Sequence, residues 1–481
     1  MISVQSAKIG ITLDRINGWI WSPMLLALVL GVGVILSVRT RFVQVRHLGG
    51  AVRLLRHVDG GDGISPFSVL CTALSAAIGT GNIVGVATAV ATGGPGAIFW
   101  MLLSAFFGMA IKFAEGVLAV KYRTTDGGEL VGGPFCYIEW GMGHRFRWLG
   151  KLYAFFGAFA GLFGIGTVTQ SNSIAVAAQS LTNDSSCAII LGGVPYSWTT
   201  VIVGGLVTVL AAAVILGGIG RISRVATVLV PLMLCVYVGG VGAILLTHIS
   251  RIPSALSLIV RAAFAPRAVL GAAAGITIKQ AMRLGIGRGI FSNEAGMGTE
   301  AIAAASSCTT TPVRQGLLCM LSTFIDTIVL CTAAGLTLVV TDAYQRSGLH
   351  GLEMTAYAWA KGLAFSPSVS RALLMLCLMF FAFSTILGWN FYAERCMQYL
   401  CGGHARWMRV YRLAYIAAVF IGPYLSVSSA WTVADICNGC MLFPNLVALL
   451  SLSGVVARET REYFATPAKK GKKSLDGKRK G

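Results

Sequence analysis

The chain has 481 residues, of which 56% are apolar and 12% are charged, and its formal net charge is +20. A soluble protein needs about a quarter of its residues charged to wet its surface, so this composition excludes a soluble globular protein. The mean hydropathy of +0.75 and the many long apolar runs predict an all-α polytopic membrane protein.

The apolar runs predict about eleven transmembrane helices, taken here in chain order. The first run ends at Arg39 without a small-residue cleavage pattern, so we expect a retained helix and not a signal peptide. Most of the 12 cysteines lie inside apolar runs, where we expect them to pack as small apolar side chains. The helices are expected near residues 19–38, 66–92, 95–120, 150–180, 196–217, 224–247, 275–307, 313–341, 367–395, 406–425 and 429–455.

Basic residues in the connections predict the orientation of the chain. When the C-terminus is placed in the cytoplasm, the basic connections 39–56 and 121–151 also fall on the inner side. The positive-inside rule then predicts a multi-pass protein of the cell (inner) membrane with its N-terminus outside and its C-terminus cytoplasmic. The net charge therefore needs no nucleic-acid partner. The Lys-rich tail 469–480 is interpreted first as a solvated end and second as a segment attracted to membrane lipids.

The ten spans after the first form two halves of nearly equal length. Because each half has five spans, the halves must enter the membrane from opposite sides, as in the inverted repeats of many secondary transporters. The expected domains are an N-terminal helix with a basic cytoplasmic loop (1–65), a first repeat (66–247), an extracellular connection (248–274), a second repeat (275–455) and a basic cytoplasmic tail (456–481).

The first helix of each half contains a cluster of glycine and polar residues. Glycine costs about 1 kcal/mol per site in a helix, so such a cluster favours local unwinding. Unwound backbone inside a membrane is tolerated only where protein or a wet cavity surrounds it, and paired interruptions point to a substrate site. The alternative is close helix packing through small residues. The clusters are Gly79-Thr80-Gly81-Asn82 and Ser292-Asn293-Glu294-Ala295-Gly296.

Long motifs around both clusters resemble the alanine/glycine:cation symporter family, and the match is collinear across nearly the whole chain. The matching segments are SPFSVLCTALSAAIGTGNIVGVATAVATGGPGAIFW and GMAIKFAEGVLAVKYR within 62–123, GGPFCYIEWGMG at 132–143, GIGTVTQSNSIA at 164–175, GRGIFSNEAGMGTEAIAAA at 287–305, PVRQGLLCMLSTFIDTIVLCT at 312–332, FAFSTILGWNFYAERC at 381–396 and ADICNGCMLFPNLVAL at 434–449.

The resemblance implies a LeuT-type fold, in which a five-plus-five inverted repeat follows one extra N-terminal helix. It also implies import of alanine, glycine or a similar amino acid with sodium, occasionally with protons, and without a cofactor. The sequence departs from the family pattern at Thr167, Thr169, Met297 and Glu300. The resemblance therefore does not fix the exact substrate or ion.

An amino-acid zwitterion needs donors for its carboxylate and acceptors for its ammonium group, and unwound helix ends offer both. Gln170 is the leading side-chain candidate, because its amide can satisfy either pole of the ligand. The alternative for Gln170 is an interhelical hydrogen bond. The expected substrate-binding residues are Gly79, Thr80, Gly81, Asn82, Gln170, Ser292, Asn293, Ala295 and Gly296.

Sodium is a hard cation and prefers oxygen ligands. Ser384 and Thr385 are adjacent hydroxyls in an apolar span, and the resemblance implies that they bind sodium with carbonyl groups near Ser75, Ile78 and Phe381. The alternative is that both hydroxyls bond back to their own helix. We expect no transition-metal site.

Carboxylates inside spans are costly and usually functional. Glu294 is expected to tie the second cluster to a neighbouring helix, with neutralisation of a cation as the alternative. Asp326 and Asp435 could serve in coupling, in gating or as structural hydrogen-bond acceptors. Glu115 lies three residues after Lys112, and this spacing predicts a local ion pair without a transport role.

The leading hypothesis is an amino-acid symporter that works by alternating access, and the alternative is a uniporter or channel-like facilitator. An enzyme is not expected, because the six histidines form no HExxH or other His/carboxylate metal motif.

Overall fold

The computed structural model describes residues 2–55, 63–126, 128–182, 184, 186–191, 194–265, 277–346, 348–425 and 427–465, with the backbone alone at 2–9 and 427–430. Residues 56–62, 266–276 and 466–481 lie outside the described residues. They include part of the predicted extracellular connection, the first two residues of the predicted second repeat and most of the predicted tail, with its Lys-rich segment 469–480. The described part of the chain is nearly all helical, as predicted.

The N-terminal half contains thirteen labelled helices and four short strands within the described residues. They are α1 (Ile2–Ile20), α2 (Pro23–Arg39), α3 (Val43–Arg46), α4 (Leu48–Leu54), α5 (Pro66–Ala77), a π-helical segment (Gly81–Gly85), α6 (Val86–Gly93), α7 (Gly96–Lys121), β1 (Thr124–Asp126), β2 (Glu129–Val131), α8 (Pro134–Cys136), a π-helical segment (Tyr137–Gly141), a 3-10 turn (His144–Phe146), α9 (Arg147–Phe163), α10 (Val168–Thr182), β3 (Ile189–Leu191), β4 (Val194–Tyr196), α11 (Trp198–Ile215), α12 (Gly218–Thr247), a 3-10 turn (Ile249–Arg251) and α13 (Ile252–Phe264).

The regular elements of the C-terminal half are all helices within its described residues. Its elements are α14 (Ile278–Asn293), α15 (Thr299–Ala305), α16 (Pro312–Thr323), a π-helical segment (Phe324–Cys331), α17 (Thr332–Val340), a 3-10 turn (Ala343–Gln345), α18 (Gly351–Gly362), α19 (Pro367–Cys401), α20 (Ala405–Ile421), a 3-10 turn (Gly422–Tyr424), α21 (Val427–Ser451) and α22 (Ser453–Ala465).

The strands form two small antiparallel hairpins in the connections. Thr124 pairs with Val131 in the first hairpin, and Ile189 pairs with Tyr196 in the second. Beside the second hairpin, hydrogen bonds from Ser186 and Thr199 hold the pKa of Asp184 well below its usual range.

Within the described residues, eight helices are long and apolar enough to cross a membrane, and the bent pair Pro66–Ala77 and Gly81–Gly93 makes up to nine. Two of the eleven expected spans fall short of this standard. The helix α20 has only 17 residues, and the predicted span 275–307 is interrupted and carries Lys279, Arg283 and Arg288. The chain is therefore a multi-pass membrane protein, and the count of eleven stays a prediction.

The helix expected over 150–180 is interrupted in its middle. The helix α9 ends at Phe163, and α10 begins at Val168. A Cβ added to Gly164 would lie 2.8 Å from the carbonyl oxygen of Ala160 and 3.1 Å from Cα of Ala434. The backbone at Gly164 therefore packs so closely against these atoms that only glycine fits. The prediction of one continuous helix was wrong at this point, because the interruption lies within an apolar run and hydrophobicity alone does not indicate a turn there.

Two close helix contacts position the interrupted helices. The helix α7 packs along both α14 and α16, and α19 packs against α5. At the second contact a Cβ on Gly388 would lie 2.6 Å from the backbone nitrogen of Ala76, so the two backbones nearly touch. These contacts bring the polar interruptions into the buried centre of the molecule.

Candidate functional site

The first interruption lies between α5 and the following π-helical segment. Ile78 adopts an extended conformation with φ −78° and ψ 92°, and the two helical pieces are bent by 55° at this point. A Cβ on Gly79 would lie 2.7 Å from the hydroxyl oxygen of Thr385, so the break packs directly against α19. The helix is thus interrupted at Ile78 and Gly79, at the start of the predicted cluster, whereas Thr80, Gly81 and Asn82 are already helical.

The second interruption lies between α14 and α15. Ser292 and Asn293 are still helical, and the chain leaves the helix at Glu294, which has φ 53°. Gly296 and Gly298 follow with φ 88° and 75°, a left-handed conformation that glycine adopts without steric cost. The unwound residues are therefore 294–298, about two positions later than the sequence predicts.

Buried side chains satisfy the polar backbone of the second interruption. Glu115 on α7 accepts hydrogen bonds from the backbone N–H groups of Gly296 and Gly298 through the same oxygen, both at 3.1 Å. Asn445 on α21 donates to the carbonyl oxygen of Gly296 at 2.7 Å and to Glu115 at 2.8 Å. The N–H of Ala295 donates to the side chain of Asn293 at 3.0 Å. These N–H groups are thus already occupied.

Glu294 ties the second interruption to α19, as expected. Its Oε1 accepts a hydrogen bond from the indole N–H of Trp389 at 2.9 Å, and its Oε2 accepts one from Thr299 at 2.5 Å. The predicted ion pair between Lys112 and Glu115 is wrong. Lys112 pairs with Glu300 at 3.2 Å, because the turn of α15 brings that carboxylate next to α7.

Asp326 joins the two interruptions. Its Oδ1 accepts a hydrogen bond from the side-chain amide of Asn82 at 2.7 Å, and its Oδ2 accepts one from the hydroxyl of Ser292 at 2.8 Å. Thr327 donates to the same Oδ2 at 2.6 Å and accepts a bond from Asn293 at 3.1 Å. One fully buried carboxylate therefore holds a residue from each cluster.

The predicted substrate-binding residues divide into two groups. Those of the two clusters lie together, and a Cβ on Gly81 would be 3.5 Å from the ring of Phe291 and 3.9 Å from Cα of Ser292. Within the described residues, the hydroxyl of Thr80 and the Oε1 of Gln170 are buried without a hydrogen-bond partner. Gln170 lies on α10, just after the interruption at 164–167, and its role as a ligand stays a prediction.

Three of the five predicted cation-binding residues meet at one point. The hydroxyl of Thr385 donates to the carbonyl oxygen of Phe381 at 3.0 Å and reaches the carbonyl oxygen of Ile78 at 3.4 Å. Ser384 bonds back to Phe381 at 2.8 Å and contacts the sulfur of Met233, whereas Ser75 bonds back to Thr72. Both Ser384 and Thr385 therefore bond back to their own helix, as the alternative interpretation expects, and Thr385 in addition reaches across to the first interruption.

A cavity of about 120 Å³ lies along α14, before the second interruption in the chain. The ring of Phe291 lines this cavity and also lies against Gly81, so it contacts both the cavity and the first interruption. The other lining residues are Asn17, Trp21, Leu26, Arg283, Leu284, Gly287, Arg288 and Asp435.

Comparison with known proteins identifies the family. The family model for the sodium:alanine symporter family matches residues 6–477. The chain belongs to this family. A sodium:alanine symporter is a transporter and not an enzyme, and membership indicates cation-coupled amino-acid symport.

Several known proteins are similar to the chain over almost their whole length. An uncharacterized transporter of Haemophilus influenzae is 48% identical over 94% of this chain and 95% of its own. The sodium/alanine symporter AgcS of Methanococcus maripaludis is 43% identical over 94% of this chain and 96% of its own. A Bacillus subtilis protein with the name "Probable sodium/glutamine symporter GlnT" is 34% identical over 93% of this chain and 89% of its own.

Sequence reasoning missed three residues that organise this family member's interrupted helices. The sequence leaves the role of Asp326 open between coupling, gating and structural hydrogen bonding, and it predicts only a local ion pair for Glu115. It gives no separate prediction for Asn445. The available signal was the same in each case, a side chain that is costly to bury in an apolar span and must therefore have a partner.

Replacement of Asp326 tests the bridge between the interruptions. Asp326→Ala removes the shortest hydrogen bonds of the buried donors of Asn82 and Ser292 and leaves them longer contacts with the backbone carbonyl of residue 326 and the sulfur of Cys331. The loss should cost about 1–3 kcal/mol for each group. We expect a clear fall in the thermal unfolding temperature of the purified protein in detergent and a smaller fall for Asp326→Asn, which keeps one carbonyl oxygen. Glu353→Ala, at an exposed position on α18, is the control. Equal unfolding temperatures for Asp326→Ala and the control would contradict the bridge.

Proposed function

We propose that the chain carries small neutral amino acids such as alanine or glycine into the cell together with sodium, by alternating access. The observation that carries this proposal is the meeting of two interrupted helices at Asp326, in the buried centre of a multi-pass membrane protein. Interrupted helices in matching positions of two halves are the usual setting of substrate and ion sites in secondary transporters. We further propose the LeuT-type inverted repeat, with the N-terminus outside and the C-terminus in the cytoplasm.

Alanine is the first substrate to test. The relative with 43% identity is named a sodium/alanine symporter, whereas the relative with 34% identity is named for glutamine. A Cβ on Gly81 would be in ordinary van der Waals contact with the ring of Phe291, at 3.5 Å, and this proximity of the two clusters supports a small side chain on the substrate. Thr80 and Gln170 each have a buried side-chain oxygen without a hydrogen-bond partner among the described residues. The zwitterion would supply these missing hydrogen bonds.

The polar ends of the zwitterion would use different parts of the site. The second interruption has its N–H groups at Gly296 and Gly298 committed to Glu115. The first interruption begins a new helical segment at Gly81, and the leading N–H groups of a helix have no acceptor within it. The N–H groups of Gly79 and Asn82 bond to each other's residue at 3.2 Å, so the N–H groups of Thr80 and Gly81 are the ones that we assign to the substrate. We therefore assign the substrate carboxylate to the first interruption.

Sodium would bind where Thr385 faces the carbonyl oxygens of Ile78 and Phe381. These neutral oxygens suit a hard monovalent cation. The position next to Gly79 gives the coupling a physical route, because an ion there would order the same backbone that holds the substrate. Protons are the alternative coupling ion.

Uptake into proteoliposomes tests the proposed function. Purified protein should accumulate radiolabelled alanine above the external concentration when an inward sodium gradient is imposed, and the accumulation should collapse when an ionophore dissipates the gradient. An inward proton gradient without sodium tests the alternative ion. Equilibration without accumulation under either gradient would contradict symport and would favour a uniporter or channel-like facilitator. Competition by glycine, serine, glutamine and D-alanine then ranks the substrates.

Substitution of Thr385 separates the sodium role from the substrate role. Thr385→Ala removes the hydroxyl that faces two carbonyl oxygens, and loss of one ligand to a charged group should raise the sodium concentration for half-maximal uptake by about 10-fold or more. The KM for alanine at saturating sodium should change much less. Thr385→Ser keeps the hydroxyl and serves as the matched control. A larger change in the alanine KM than in the sodium dependence would assign Thr385 to the substrate instead.

A further inference from the structure

A second cavity, of about 480 Å³, lies at the end of α2 and is separate from the interrupted helices. We call it the arginine cavity, because arginine is the most frequent residue in its lining. It lies between the turn that follows α2 and the last described helix, α22. Its lining residues are Arg39, Thr40, Arg41, Arg46, His47, Thr460, Arg461, Phe464 and Ala465.

An unusual turn brings three of these arginines to one cavity. Arg41 and Phe42 both have left-handed backbone conformations, with φ 57° and 54°. Such a conformation is uncommon for residues other than glycine and is found where the surrounding structure holds it. A backbone bond of 2.7 Å from Phe42 to Ser37 and a side-chain bond of 2.7 Å from Gln44 to Ser37 close the turn. The reversal places Arg39, before the turn, beside Arg46, after it.

The arginine cavity is strongly positive. Its lining contains four arginines, and none of the lining residues, all of which are described, is acidic. Arg39 donates one bond of 2.6 Å to Ser453, and Arg461 donates one bond of 3.2 Å to the backbone of Ala457. Since a guanidinium group carries five N–H donors, these bonds leave most donors of both side chains for a ligand.

The histidine of the cavity contributes an aromatic surface to its lining and no positive charge. His47 stacks on Phe464 with ring centroids 3.8 Å apart and an interplanar angle of 14°. Partial burial, and to a lesser extent the neighbouring Arg46, lower the pKa of His47, so its ring is neutral at neutral pH. The stacked pair forms an apolar wall, and the positive charge comes from the arginines.

The surroundings of the cavity place it at a membrane surface. The cavity begins at Arg39, the last residue of the candidate span Gly10–Arg39. Exposed apolar side chains lie immediately around it in the sequence, namely Val38, Phe42 and Val45. This combination of exposed apolar residues and clustered arginines matches the boundary between lipid tails and headgroups.

We propose that the arginine cavity binds the phosphate group of an anionic phospholipid. Guanidinium groups bind phosphate oxygens through paired hydrogen bonds, and the negative charge would offset the repulsion among the four arginines. The adjacent apolar side chains would contact the acyl chains. A bound lipid would tie the turn after α2 to α22, two parts of the chain that are more than 400 residues apart in sequence.

Native mass spectrometry of the full chain in detergent tests this site. Phosphatidylglycerol and phosphatidylcholine are added in turn to the wild type and to the double variant Arg46→Gln/Arg461→Gln. Each charge near an anionic lipid contributes about 5-fold in affinity, so the double variant should bind phosphatidylglycerol about 30-fold more weakly. The double variant Arg406→Gln/Arg409→Gln removes the same charge from exposed positions on α20 and should bind like the wild type.

Three results would overturn the proposal. They are equal wild-type affinity for both lipids, unchanged binding of phosphatidylglycerol by Arg46→Gln/Arg461→Gln, and equal losses in the two double variants. Inorganic phosphate at the same concentration as the lipid should not displace it, and displacement would assign the cavity to a soluble phosphate. If the cavity variant fails to fold, the single variant Arg46→Gln should still lose about 5-fold in affinity, and no loss would refute the site.

Discussion

The carboxylate of Asp326 is the interaction on which the arrangement of the two interrupted helices depends. It accepts hydrogen bonds from Asn82 of the first cluster and from Ser292 of the second, and all three side chains are buried. A polar group left unpaired in a membrane costs several kcal/mol, so two helices can be interrupted at the same depth only if their polar groups find partners. Asp326 supplies one acceptor group to both. The two interruptions therefore form one polar unit within an apolar bundle.

The two interruptions are supported unequally. At the second, Glu115 holds the N–H groups of Gly296 and Gly298, and Glu294 is held by Trp389. These bonds clamp the unwound segment to α7 and α19. At the first, the N–H of Gly79 donates to the side-chain oxygen of Asn82 at 3.2 Å, the N–H of Asn82 donates to the carbonyl oxygen of Gly79 at 3.2 Å, and Thr385 donates to the carbonyl oxygen of Ile78 at 3.4 Å. The second interruption is thus held by side chains of neighbouring helices, whereas the backbone of the first is held by longer bonds, mostly from its own cluster.

The sequence was sufficient to locate both interruptions, because glycine and polar residues inside an apolar span carry a local signal. The residues that form hydrogen bonds with these clusters carry no such local signal in the sequence. Asn82 and Asp326 are 244 positions apart, and only the packing of the helices brings them together. Local spacing was even misleading for Lys112, which was paired with Glu115 three residues away. Glu115 is committed to the backbone of the second interruption, and Lys112 pairs with Glu300 instead. A rule based on residue spacing considers one helix at a time, so it cannot take account of a carboxylate on another helix, such as that of Glu300.

A double-mutant cycle on Asn82→Ala and Ser292→Ala tests the central claim most directly. The quantity to measure is the dissociation constant for alanine at saturating sodium, in the wild type, both single variants and the double variant. If the two interruptions form one site through Asp326, the losses should be non-additive by about 0.5–3 kcal/mol, with the double variant little worse than the poorer single variant. Losses that add to within about 0.5 kcal/mol, or no loss at all, would contradict a shared site.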